Sequence, residues 1–139
     1  MPIWIEDESQ NIGKTFLPVK IYAQIRSKSV IQLDVPLEER IAQLVNDYAS
    51  ADKEQIRESV LRISKKLGGD RVREAIEALD SGDYPKGAEI ALYYYDKAYL
   101  NGLSRREPST VHVLHSTAES LDSRAVRLEE MLKNILDRE

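Results

Sequence analysis

Glu6, Asp7 and Glu8 stand together at the end of the apolar run Met1-Pro2-Ile3-Trp4-Ile5, with Ser9 immediately after them. Hard cations prefer carboxylate oxygens, so acids at the end of a buried strand can hold Mg²⁺ or a water beside a phosphate. On this reading Glu6 and Glu8 are the candidate catalytic groups, Glu6 and Asp7 the candidate Mg²⁺ ligands, and Ser9 a hydrogen-bond partner. The plain alternative is a solvated strand end beside a turn. A second set is cationic. Arg57, Arg62, Lys65, Lys66, Arg71 and Arg73 gather around Gly68-Gly69, and Arg105 and Arg106 follow a tyrosine-rich segment. Such groups hold phosphate backbones without reading sequence, although Glu54, Glu58, Asp70 and Glu74 dilute the patch toward an ordinary wet surface. Arg40, in the first turn after Pro36, can bind phosphate or pair with acids.

Three further patterns are weaker. Gly13-Lys14-Thr15 imitates the end of a phosphate loop, but Glu8 stands where the loop's first glycine belongs and no long helix opens after it. His112 and His115 lack the spacing of a zinc pair and, by strand alternation, fall on opposite faces, which suits structural or surface roles. Tyr93, Tyr94 and Tyr95 cannot share one helix face at about 100° per residue. Tyr95 and Tyr99, one turn apart, are expected to pack, leaving Tyr94, Asp96 and Lys97 to face a ligand or a base.

Composition narrows the classes. The chain has 139 residues, 42% hydrophobic and 32% charged, enough for one folded domain with a core. A net charge of -4 argues against nucleic-acid binding by bulk charge, so any RNA contact needs a local basic face. With no cysteine there is no disulfide, thiolate metal site or thiol nucleophile on this chain. No apolar run approaches the roughly 18 residues of a membrane span, and the acidic N-terminus is unlike a signal peptide, which makes a cytoplasmic setting the default.

The elements that must position these groups follow from periodicity and punctuation. The first strand ends at the acids, and Pro18 starts a short helix with Ile21, Tyr22 and Ile25 inward. Val30 to Val35 is a β-branched strand, and Pro36 begins a helix with Leu37, Ile41, Leu44, Val45 and Tyr48 in register. Asp52 with Gln55 reads as a capping box for a helix running through Ile56, Val60, Ile63 and Leu67 to Gly68-Gly69. Asp70 caps the next helix, which ends at Ser81-Gly82. Another runs from Asp83-Pro85 to Asn101-Gly102. Thr110 to Leu114 is a third strand, and Ser116 with Glu119 caps the last helix. The expected fold is α/β: a helix-rich, partial phosphate-loop (P-loop NTPase-like) domain over 1–139, with about three parallel strands and a helical insertion at about 52–103. Three strands are few for a parallel sheet, and an acid-ended strand at the start lacks the glycine-rich loop that precedes it elsewhere, so a missing upstream portion is expected.

Four stretches together carry a resemblance across most of the chain: Ile3-Trp4-Ile5-Glu6-Asp7-Glu8-Ser9 with Ile12-Gly13 and Leu17-Pro18; Leu33-Asp34-Val35-Pro36-Leu37-Glu38-Glu39-Arg40; Lys66-Leu67-Gly68-Gly69; and Tyr94-Tyr95-Asp96-Lys97-Ala98-Tyr99. In this order they resemble the C-terminal half of the bacterial tRNA 2-selenouridine synthase family. The resemblance implies an enzyme with a cysteine-bearing rhodanese-like domain ahead of a phosphate-loop domain. It implies that the wobble 2-thiouridine of certain tRNAs is geranylated from geranyl diphosphate, and the geranylthio group is then replaced by selenium from selenophosphate, with Mg²⁺ as a further requirement to test. It also makes Arg40, Lys65, Lys66, Arg71, Tyr94, Lys97, Arg105 and Arg106 the candidate phosphate or tRNA contacts, and Tyr94 a candidate neighbour of the geranyl chain. The rhodanese domain and the glycine-rich loop are not in this sequence. The expected partners are therefore tRNA and an upstream rhodanese and phosphate-loop portion or partner chain, with self-association as another way to fill the sheet. By analogy with phosphate-loop kinases, the absent strand separates Ile3-Ile5 from Val30-Val35. The rival reading is a non-catalytic helical module that binds protein or RNA.

Overall fold

The computed structural model describes residues 3–7, 9–12, 14–48 and 51–137, so Glu8 and Gly13 lie outside the described residues. It divides into two compact units, Met1–Asp34 with Asn101–Glu139, and Val35–Leu100. The first holds the sheet. Asn11–Ile12 (β1) and Thr15–Phe16 (β2) form a small antiparallel hairpin, pairing Asn11 with Phe16 and Ile12 with Thr15. Lys14 and Thr15 thus belong to an exposed hairpin, and the helix that follows is only Val19–Arg26 (α1), with Pro18 as its N-cap residue. Ile21 is 49% exposed, outside the inward face expected of it.

Val30–Asp34 (β3) and Val111–His115 (β4) pair in parallel, from Val30 opposite Val111 to Asp34 opposite His115. Among the described residues these are the parallel strands, two where three were expected. Residues 3–7 form no strand, and Ile3, Trp4 and Ile5 are 83%, 55% and 61% exposed. A run of apolar residues specifies that burial is favourable, but a strand also needs a neighbour for its backbone groups. No described residue supplies that neighbour. The helix Leu121–Leu136 (α7) is capped by Ser120, whose hydroxyl accepts from Ser123 N at 3.2 Å. The cap thus lies one turn beyond the expected Ser116, because Ser116 is only 1% exposed and bonded elsewhere.

The second unit is helical. Pro36 leads into Leu37–Asp47 (α2), its fixed φ suiting a helix start. Asp52 caps Lys53–Arg62 (α3) by accepting from Glu54 N at 3.1 Å. The stripe expected to run unbroken to Leu67 is interrupted at Ile63, after which Ser64–Leu67 is a single turn (α4). Gly68 then adopts φ 90°, and Gly69–Ser81 (α5) begins without a side-chain cap, so Asp70 lies in the first turn of the helix and does not cap it. Gly82, at φ 78°, terminates α5 in the left-handed conformation that glycine adopts most readily. Tyr84–Leu103 (α6) follows, with Asp83 accepting from Lys86 N. Leu67, Ala75 and Ile90 form the buried centre, with Val60, Ile63, Val72 and Tyr94 packed around it. Among the described residues no helix is long and apolar enough to cross a membrane.

Candidate functional site

In the sheet-bearing unit, Asp7 is held by two arginines. Arg106 donates from Nε to Oδ2 at 3.0 Å and from Nη2 to Oδ1 at 2.6 Å, and Arg26 Nη1 lies 3.2 Å from Oδ2. Arg106 also donates to the carbonyls of Arg26 and Lys28, and Arg26 to that of Gly102. With its side chain 2% exposed, Arg106 is a buried brace between residues 99 positions apart. Burial by itself pushes the Asp7 carboxyl up, but hydrogen bonding and charge from Arg106, with Arg26 behind it, hold the net value below the usual carboxylate range. Asp7 and Arg106 therefore meet each other here. Glu6 is exposed, and among the described residues no three His, Asp or Glu side chains gather in a metal-holding group. Glu8, the third acid of the triplet, lies outside the described residues.

The carboxyl end of the sheet carries a cluster that residue spacing did not reveal. His115 Nδ1 lies 2.7 Å from Asp34 Oδ2. Directly after it, Ser116 donates its N–H to Asp34 O at 2.9 Å and accepts from Arg124 Nε at 2.7 Å. Glu119 is lowered below the usual range first by its hydrogen bond with Ser116, against the opposing effect of lost hydration, and further by Ser123 and Arg127. The strand pattern put His112 and His115 on opposite faces. His112 lines a cleft with Leu114, Arg127, Met131 and Ile135, on the α7 side. What could have flagged His115 is its equivalence with Asp34 at two strand ends, and that requires the register.

In the helical unit, Arg40 forms a two-pronged pair with Asp96, at 2.6 and 2.9 Å, across 56 positions. The arginine of the first helical turn does pair with an acid, though with Asp96 of α6 rather than a sequence neighbour. Lys66 Nζ lies 5.9 Å from the centre of the Tyr94 ring, and the Arg71 guanidinium 4.2 Å from that of Tyr93. Two cations from the Gly68-Gly69 segment and two successive tyrosines of α6 thus form one basic, aromatic surface. Tyr94 is the half-buried ring, packed on the core, while Tyr93, Tyr95 and Tyr99 are each 48% exposed. The inward tyrosine is therefore Tyr94 and not the expected Tyr95. Lys65 and Lys97 are exposed in this unit, and Arg105 is exposed in the turn after α6.

The described residues form a helix-rich α/β protein with a small parallel sheet, a class in which binding groups gather at the carboxyl ends of strands. The particular family is plain. Residues 1–128 match the family described as tRNA 2-selenouridine synthase AAA domain, and the chain belongs to it. It is 30% identical to a tRNA 2-selenouridine synthase of Nitrosomonas europaea, over 76% of this chain and 39% of that protein. A tRNA 2-selenouridine synthase of Bdellovibrio bacteriovorus is 30% identical over 73% of this chain and 37% of the relative. One from Shewanella frigidimarina is 28% identical over 77% and 37%. The chain therefore matches less than two fifths of the length of these relatives. No solved structure matches it.

Proposed function

We propose that this chain acts as the C-terminal part of a tRNA-modifying enzyme that converts wobble 2-thiouridine to 2-selenouridine through a geranylated intermediate. The observation that carries this reading is the family match over residues 1–128. The chain's share of the work is to contact tRNA and the diphosphate substrate. The sulfur and selenium chemistry draws on a cysteine that this sequence does not contain, and on a phosphate loop, both supplied by a further portion. Geranyl diphosphate and selenophosphate are the co-substrates of the complete enzyme, which works in the cytoplasm.

For the tRNA contact the supporting geometry is Lys66 over Tyr94 and Arg71 over Tyr93, with the exposed Lys65 next to Lys66 in sequence. Cations next to aromatic rings, of which Tyr93 is the exposed one, suit a phosphate backbone with unstacked bases. The test is tRNA affinity against salt for the wild-type chain and for K65E/K66E/R71E. For every phosphate that the variant no longer neutralises, the log–log salt dependence should flatten by roughly 0.7 to 0.9. Affinity that ignores salt and survives the triple reversal defeats this surface as a tRNA site. Selenium incorporation by the chain alone would defeat the requirement for a second portion. If neither tRNA nor geranyl diphosphate binds, the helical interaction module is the better account.

A further inference from the structure

Because β3 and β4 are parallel and in register, their last residues, Asp34 and His115, stand side by side at the carboxyl end of the sheet. Open α/β sheets bind what they act on at that end. The two side chains join there, Nδ1 to Oδ2, at 2.7 Å. An ionised carboxylate can only accept, so opposite one Nδ1 carries the hydrogen, and in the neutral form of the ring the lone pair is then on Nε2. With the His115 side chain 77% exposed, the ring is open to an incoming group.

The segment behind this pair is fixed more firmly than an exposed ion pair calls for. Ser116 is 1% exposed, and it ties the β4 end to Asp34 O and to Arg124. Arg127 donates to His115 O at 2.8 Å and to Glu119 at 2.7 Å. Ala118 sits at φ 47°, in the left-handed region that a residue with a Cβ avoids. Strain and buried polar bonds concentrated at a loop end mark a place where geometry matters.

We propose that His115 is a proton-transfer residue and Asp34 its positioning partner. In the step assigned to them, Nε2 takes the proton from an attacking hydroxyl, thiol or selenol as its oxygen, sulfur or selenium bonds to the electrophilic centre of the substrate. The bond between that centre and the departing group breaks with its electron pair going to the departing group, which then takes the proton from Nε2 while the Asp34 carboxylate compensates the transient imidazolium charge. The catalytic step rests on the transferase reading above, and the pairing of His115 with Asp34 does not.

Two measurements test this. In the 139-residue chain by itself, nitrogen NMR of the imidazoles should show His115 held as the Nδ1–H tautomer. D34N should release it, D34E should largely retain it, and His112 should not change. A His115 tautomer population indifferent to D34N overturns the pairing. In the enzyme assembled with the portion of its relatives that this chain does not cover, H115Q should lower kcat about 100-fold or more while tRNA affinity stays the same. D34N should cost less. Full activity in H115Q overturns the catalytic role. Both side chains are largely exposed, so unchanged circular dichroism is expected and separates these outcomes from unfolding. A wild-type chain that fails to bind tRNA counts against the transferase reading and leaves the tautomer result to decide the pairing.

Discussion

Asp7 shows how a single residue can be legible in type and misleading in role. A carboxylate in an acidic triplet invites a cation, and it has found two, the guanidinium groups of Arg106 and Arg26. Nothing in local spacing joins positions 99 apart, and the same holds for Arg40 and Asp96 at 56. Replacing Asp7 by Asn should be strongly destabilising, because it leaves Arg106, 2% exposed in its side chain, without its charge partner. Breaking a buried pair on one side costs about 3 to 5 kcal/mol. Urea unfolding of D7N at neutral pH should show a loss of this order, and a loss below about 1 kcal/mol, the range of an exposed pair, would contradict the brace. The sign with pH follows from the lowered value. Asp7's contribution is fully present above the unfolded value near 3.8 and is lost as pH falls through the still lower folded value. The gap between wild type and D7N should therefore be constant at neutral pH and close only in acid.

At the scale of elements, punctuation was more informative than apolar content. Pro18, Pro36, Asp52 and Gly82 all mark the boundaries they suggest, because a fixed φ, a side-chain acceptor and a left-handed glycine act locally. The apolar run at Ile3-Trp4-Ile5 did not become a strand, since pairing depends on a neighbour that no local pattern supplies. Gly68-Gly69 illustrates the difference in one dipeptide. Both residues read as a helix stop, yet only Gly68, at φ 90°, needs to be glycine, and Gly69 already lies in α5 with nothing within 4 Å of an added Cβ. G68A should therefore destabilise by about 1 to 3 kcal/mol through backbone strain. G69A should be neutral or stabilising by up to about 1 kcal/mol, the helical preference for alanine. Thermal melts of the two variants decide it, and equal losses would mean that the stop is not conformational.

For the whole molecule, the order of the larger elements from Val19 onward was legible, whereas the opening hairpin and the number of paired strands were not. Among the described residues, β3 bonds to β4 along one edge, and no other strand is paired with either. Parallel strands are ordinarily covered on both sides, and an unpaired backbone group that becomes buried costs about 1 to 3 kcal/mol. If the proposed phosphate-loop portion contributes a strand, the outer edges of β3 and β4 both have bonds to offer, and the analogy with phosphate-loop kinases selects that of β3. In a parallel pair the N–H groups of alternate residues point to opposite edges. The β3 amides directed at β4 should exchange slowly in this chain alone, and the intervening ones should exchange faster. Adding the missing portion should slow that second set by roughly tenfold to a hundredfold, the equivalent of 1 to 3 kcal/mol per recovered bond. Self-association through the same edge would protect these amides in proportion to chain concentration, which light scattering on the same samples resolves. A monomer whose β3 amides are all equally protected, with no change when the further portion is added, would show that the edge is already satisfied and that the strand joins elsewhere.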